Sequence, residues 1–242
     1  MSKKRNIRNR ASTLINEKSS FAIVEAYKAA RTNLMFKLMN DNNKKCIAIT
    51  SSEASEGKTT TCINLAITFA QAGSNVLVID ADMRRPSVHR FLEVQRTPGL
   101  SDKICGFSED EPCIYRTKYE NLYVMPAGSI PPNPAELLLS NRMDAFLDVF
   151  KKNFDYIFID TPPIGIVTDA AVIGSKCGGV LFVVRQDVSR KDRIKKSLDS
   201  LKQVGVDVYG FILNDGTEEE NHFYRRRYGK YYTNKYENSR PD

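Results

Sequence analysis

The chain has 242 residues, a formal net charge of +7, 41% hydrophobic and 27% charged residues. That balance suits one large globular domain or two small ones, and excludes a disordered, collagenous or fibrous chain. Its five cysteines form no CxxC pair and it has only two histidines, so neither a disulfide framework nor a zinc site is expected.

Residues 1–18 hold six Lys/Arg and one Glu and read as a flexible basic arm. No apolar stretch follows those charges, so no signal peptide is expected. Residues 20–39, SFAIVEAYKAARTNLMFKLM, lack Gly and Pro and predict a long helix. Short apolar, β-branched runs then recur: CIAIT (46–50), NVLVID (75–80), NLYVMP (121–126), YIFID (156–160), GVLFVV (179–184) and YGFILN (209–214). Each is continuous rather than alternating, as in strands buried on both faces of a parallel sheet. Helices are predicted between them over 58–72, 134–152, 168–176 and 189–204. The alternation implies an α/β fold with a mostly parallel central sheet and helices on both faces, filling residues 19–221. Within it, 94–120 reads as loop-rich because of Pro98, Gly99, Gly106 and Pro112.

Residues 222–242 contain five of the 11 tyrosines (Tyr224, Tyr228, Tyr231, Tyr232 and Tyr236) but no Leu, Ile or Val. So little apolar surface cannot offset the entropy of ordering a chain, and disorder is predicted. Both ends are basic and the body between them is close to neutral. That distribution argues against a nucleic-acid groove and fits arms near an acidic surface. No apolar run approaches the roughly 18 residues of a membrane span, so a cytosolic protein with at most peripheral or partner-mediated membrane contact is expected.

Three motifs sit at predicted strand ends. TSSEASEGKTTT (50–61) follows a strand and opens a helix. Gly57-Lys58-Thr59 is the end of a phosphate-binding loop, although the pattern's first glycine position holds Ser52. Backbone N–H groups around Ser55, Glu56, Gly57 and Thr60 can surround a phosphate, Lys58 can reach the β/γ-phosphates and Thr59 can ligate Mg²⁺. In VLVIDADMRRP (76–86), Asp80 and Asp82 lie at and just past a strand's C-terminal end, the edge where open α/β sheets bind ligands. In YIFIDTPPIG (156–165), Asp160 ends another buried strand. Three acids beside one Lys-Thr pair read as a Mg²⁺–nucleotide site.

These motifs resemble the Walker A, A′ and B elements of the bacterial tyrosine kinases, in particular the CpsD/CapB-type cytoplasmic kinase subunits of capsule and exopolysaccharide systems. The resemblance covers nearly the whole chain, including the tyrosine-rich tail, and implies a P-loop NTPase fold of the MinD/ParA type. It implies ATP and Mg²⁺ as cofactors, with Lys58 and Thr59 on the phosphates and metal, and Asp80, Asp82 and Asp160 organising Mg²⁺ and the attacking hydroxyl. Either Asp80 or Asp82 would be the base. Asn214 matches a position that contacts adenine in related ATPases. The tail tyrosines would be the acceptors of trans autophosphorylation. Glu25, Lys28 and Arg31, within EAYKAAR, match an oligomerisation motif and imply a homo-oligomeric ring. The family further implies a transmembrane adaptor that recruits the kinase to the inner face of the cell membrane, and a cognate tyrosine phosphatase.

The main rival is a MinD/ParA-like positioning ATPase that phosphorylates no protein. That branch usually carries a lysine where this chain has Glu53, and the tyrosine tail also argues against it. An iron–sulfur protein of similar fold would need a cysteine ligand pattern that Cys105 and Cys113 do not supply.

Overall fold

A computed structural model describes residues 13–39, 45–107 and 112–215. It opens with helix α1 (Phe21–Leu38), capped by the Ser20 hydroxyl, which accepts from the Ile23 N–H. There follow β1 (Cys46–Ser51), α2 (Lys58–Gln71), β2 (Val76–Asp80) and two short helices, α3 (Val88–Phe91) and α4 (Leu100–Cys105). Next come β3 (Tyr115–Arg116), β4 (Leu122–Met125), α5 (Pro134–Leu139), α6 (Asn141–Asn153) and β5 (Tyr156–Asp160). The order ends with α7 (Asp169–Lys176), β6 (Gly179–Arg185), α8 (Lys191–Gln203) and β7 (Val208–Asn214).

The seven strands form one sheet in the order β3-β4-β2-β5-β1-β6-β7. Every pairing is parallel except β3 with β4. The predicted continuous runs all form strands of this sheet, and all of β1 and β2 is buried. One face of the sheet packs on α2, which α1 covers in turn. Phe69 of α2 meets Tyr156 and Phe158 of β5 edge-on, with ring centroids 4.5 and 5.2 Å apart. The other face packs on α5 to α8 through Leu138, Met143, Leu147, Ile173 and Leu201. With β2, β5 and β1 adjacent and parallel, their C-terminal ends open on one edge. Asp80 and Asp160 stand side by side in the ladder there.

Four expectations need correction. The run at 209–214 is not buried on both faces, because β7 is an edge strand on which Phe211 and Leu213 are exposed. The single helix predicted over 134–152 is two, because Ser140 is extended (φ −64°, ψ 151°) and caps α6 by accepting from the Met143 N–H. The loop-rich segment contains α4 and the antiparallel edge strand β3. The basic arm does not reach residue 18, because Leu14 and Ile15 are buried, at 1% and 3% exposure. The side-chain oxygen of Asn64, in α2, accepts from the Ile15 N–H at 2.9 Å, and its amide donates to the Thr13 carbonyl at 3.2 Å. Residues 1–12 and the tyrosine tail lie outside the described residues, so the predicted flexibility of both stands as an expectation.

Candidate active site

The loop from Ser51 to Gly57 joins β1 to α2. Gly57 sits in the left-handed region (φ 92°) and caps α2 without a side chain, so the first N–H groups of the helix face the loop's mouth. Ser55 is also left-handed, at φ 67°. Ser52, at the first glycine position of the pattern, is not. Its hydroxyl is buried and donates to the Glu56 carboxylate at 2.8 Å. Serine therefore fits where the pattern has glycine.

The side chain of Glu56, whose backbone N–H is expected at the phosphate, turns inward. Its fully buried carboxylate accepts from Ser52 Oγ, the Glu53 N–H and Ser189 Oγ. Only its backbone faces the loop. Asn214, at the end of β7, donates through Nδ2 to the Glu56 carbonyl at 3.1 Å. A Cβ on Gly57 would lie 2.0 Å from that same amide, so only glycine permits the approach. Arg185, which the sequence reading passed over, donates to the Ser55 carbonyl at 3.1 Å and pairs with Asp215.

Lys58 is the cation at the centre. Its Nζ lies 3.3 Å from Asp82 Oδ2 and 3.8 Å from Asp160 Oδ1. Burial pulls the ammonium's pKa down, but Asp160 and Asp82 outweigh that and leave it above its usual value. The Thr59 hydroxyl donates to Asp160 Oδ2 at 2.6 Å. Asp80 accepts three backbone N–H bonds: from Asp82 on Oδ1, and from Ser87 and Val88 on Oδ2. Those donors favour its ionised form. Burial and the neighbouring Asp160 nonetheless push it up to about 8. Burial likewise raises Asp160, against the pull of Lys58 and Thr59. Asp82 bonds the Arg85 N–H through Oδ1 and turns Oδ2 to Lys58. Thr60 follows on α2, half-buried.

Among the described residues, three carboxylates thus share one ammonium, and Asp160 Oδ1 is buried without a hydrogen bond. That shortage of positive charge is what a divalent cation fills, so the donor set fits Mg²⁺.

Two more side chains border this edge. Arg84 reaches across to Asp169, the first residue of α7, and pairs with it at 3.0 Å. Glu53 lies 3.6 Å from Arg193, with both side chains roughly half exposed. Glu25, Lys28 and Arg31 are not part of the site. Glu25 and Lys28 form an exposed ion pair on α1 at 2.8 Å. Arg31 does not join them on the outer face; it turns inward and donates to the Thr68 carbonyl of α2.

Among described residues no helix is long and apolar enough to cross a membrane. The family described as "AAA domain" (AAA_31) matches residues 44–211. The putative tyrosine-protein kinase CapB of Staphylococcus aureus is 35% identical over 89% of this chain and 94% of its own length. The tyrosine-protein kinase CpsD of Streptococcus pneumoniae is 39% identical over 78% of this chain and 83% of its own. Among solved structures, the chimerical protein CapA2B2 superposes with a TM-score of 0.78 at 35% identity, covering 84% of this chain and 89% of that one. The septum site-determining protein MinD of Pyrococcus horikoshii, solved with Mg-ADP, superposes at 0.59 with 27% identity, over 70% and 69% of the two chains. With its phosphate loop, its two acidic strand ends and relatives matched over most of both chains, the chain belongs to the tyrosine-protein kinase family of CapB and CpsD, on a P-loop NTPase fold.

Proposed function

We propose that this protein transfers the γ-phosphoryl group of ATP to tyrosine hydroxyls, those of another copy's C-terminal tail among them, and so regulates capsular or extracellular polysaccharide synthesis and export. The observation that carries the reading is the convergence of Asp80, Asp82 and Asp160 on Lys58 and Thr59 at adjacent strand ends. Lys58 and the N–H groups at the start of α2 bind and orient the phosphates. Thr59, Asp160 and Asp82 would hold Mg²⁺, with Asp80 behind them. Bound there, the metal neutralises charge on the β- and γ-phosphate oxygens.

Between the two candidate bases, Asp82 is favoured. Both oxygens of Asp80 already accept backbone N–H groups, whereas Asp82 Oδ2 meets the Lys58 ammonium. A tyrosine hydroxyl titrates near 10, so transfer depends on alignment and a nearby acceptor more than on a preformed anion. Asn214 and Arg185 border the loop where the base and ribose of the nucleotide would lie.

The tail tyrosines, Tyr224 to Tyr236, are the proposed acceptors because they alternate with arginines and lysines that an acidic site attracts. Each phosphate adds about −1.5 to −2 charge and so opposes that attraction. The exposed Glu25–Lys28 pair on α1 is proposed to contribute to a homo-oligomeric ring, from which phosphorylated tails would withdraw. A membrane adaptor would recruit the kinase to the inner face of the membrane, and a tyrosine phosphatase would reverse the modification.

The test is incubation with Mg-ATP, followed by intact mass and peptide mapping, with Lys58→Met as control and a candidate adaptor's cytoplasmic segment supplied in fusion. Stepwise phosphate additions mapping to the tail, absent from the control, are expected. ATP turnover without phosphotyrosine, with the adaptor segment present, would instead identify a positioning ATPase.

A further inference from the structure

The acids reach the site on two separate stretches of chain. Asp80 and Asp82 belong to β2 and the loop after it, and Asp160 to β5. The hydrogen bonds that Asp80 and Asp82 accept from residues 82 to 88 shape the first loop internally. They do not tie it to the β5 side. One tie is the Ala81 N–H, which donates to the Asp160 carbonyl at 2.8 Å. Another is a side-chain fork: Arg84 Nε donates to Asp169 Oδ2 at 3.0 Å, and Nη2 donates to Oδ1 at 3.3 Å.

We propose that Arg84 and Asp169 are a positioning pair for phosphoryl transfer, fixing the Asp80–Arg84 loop against α7 so that Asp82 stays opposite Lys58 and Asp160. The inference rests on the phosphoryl-transfer reading above. Arg84 follows Asp82 by two residues, so a shift of one is passed to the other. Reacting groups held about 1 Å out of place can cost on the order of 100-fold in rate.

The energetics support a fixed geometry. An exposed ion pair is worth little and samples many arrangements. Asp169, however, is wholly buried while Arg84 is 41% exposed. A buried carboxylate needs its partner, and a two-pronged guanidinium contact fixes direction as well as distance. The competing account is that Asp169 serves only the N-terminus of α7, through the helix dipole. The two accounts differ in what they change. A helix-end charge moves stability; a positioning pair moves the rate constant and the metal requirement.

The experiment uses the full chain and its Arg84→Met, Arg84→Lys, Asp169→Asn and Arg84→Met/Asp169→Asn forms. ADP release is followed against ATP and Mg²⁺, and binding of a fluorescent ADP is titrated at several Mg²⁺ concentrations. Arg84→Met and Asp169→Asn should each lower kcat tenfold or more, with KM for ATP and saturating-Mg²⁺ ADP affinity within twofold. The Mg²⁺ concentration at half-saturation should rise severalfold. The double variant should be no worse than the poorer single one, as for two halves of one interaction. Arg84→Lys should recover only part, because an ammonium cannot make the fork. Parental kcat and Mg²⁺ dependence beside a lowered Tm, or losses that multiply in the double variant, would overturn the inference. If Asp169→Asn fails to fold, Arg84→Met decides alone. ADP release without phosphotyrosine would remove the kinase reading and leave this test intact, and the Mg²⁺ dependence of ADP binding reads the pair even without turnover.

Discussion

The Thr59 hydroxyl and the Asp160 carboxylate, 101 residues apart in sequence, meet at 2.6 Å. The contact joins the first turn of α2 to the last residue of β5, the two places from which a P-loop enzyme addresses its metal. Thr59→Ala and Asp160→Asn are each expected to lower Mg²⁺-dependent phosphoryl transfer roughly 100-fold or more. Thermal unfolding checks the metal assignment separately. Mg-ADP should raise the Tm of the parent well above ADP with a chelator, and that difference should shrink in both variants.

Glu56 makes a prediction of the opposite kind, a residue inside the phosphate loop whose carboxylate serves the loop itself. Its buried carboxylate gathers Ser52 Oγ, the Glu53 N–H and Ser189 Oγ. Glu56→Ala leaves those donors without an acceptor, at a cost of about 3 kcal/mol, or roughly 6–12 °C in Tm for a chain of this size. Nucleotide affinity should fall with it, because the loop loses its internal support. Ser52→Gly restores the pattern's glycine yet removes one of these donors, and is expected to leave ATP affinity no better. Calorimetric unfolding and nucleotide titration of both variants check the pair of outcomes.

The strands and the three acids were legible because each signal is local. A continuous apolar run ending in Asp marks a buried strand whose tip carries chemistry, as at Asp80 and Asp160. The inward turn of the Glu56 carboxylate was not legible, because the loop pattern specifies which positions approach phosphate but not which way a side chain turns. Asp169, Arg185 and Ser189 were missed for a related reason. Their partners, Arg84, Ser55 and Glu56, lie 85, 130 and 133 residues away. No sequence spacing encodes those meetings; the strand order does. The inward turn of Arg31 was not legible, because a spacing of three puts residues near one side of a helix without saying which of them borders the packed face.

His89 gives a pH signature. Burial, with Arg90 and Arg96 nearby, lowers its imidazole from 6.5 to about 4, and Nδ1 is buried without a hydrogen bond among the described residues. The unfolded chain therefore binds more protons than the folded one between those values. His89 should cost stability as pH falls from about 6.5 through about 4. Asp80 acts with the opposite sign: its raised carboxyl destabilises the metal-free fold as pH rises toward and through about 8. Subtraction separates them. The stability of the parent minus that of His89→Gln should fall with acidification across the His89 window and stay flat above it, measured by denaturant titration in the absence of Mg²⁺.

The buried pair Leu14 and Ile15 predicts where truncation begins to hurt. Both side chains pack into the core that backs α2, and Asn64 holds the backbone of residues 13 and 15 from within that helix. Deleting residues 1–12 leaves these contacts in place and is expected to keep Tm within about 2 °C, a change of at most about 1 kcal/mol. Deleting residues 1–15 removes two fully buried apolar side chains, worth about 1.5–3 kcal/mol each, and strips Asn64 of both its partners. The same helix starts at Lys58 and Thr59, so nucleotide affinity should weaken in the longer deletion alone. Asn64→Asp is the finer probe, because it still accepts from the Ile15 N–H but cannot donate to the Thr13 carbonyl. It should destabilise the fold by about 1–3 kcal/mol with the N-terminal residues intact. Equal stability of the two deletions would show that the Leu14–Ile15 contact contributes nothing in solution.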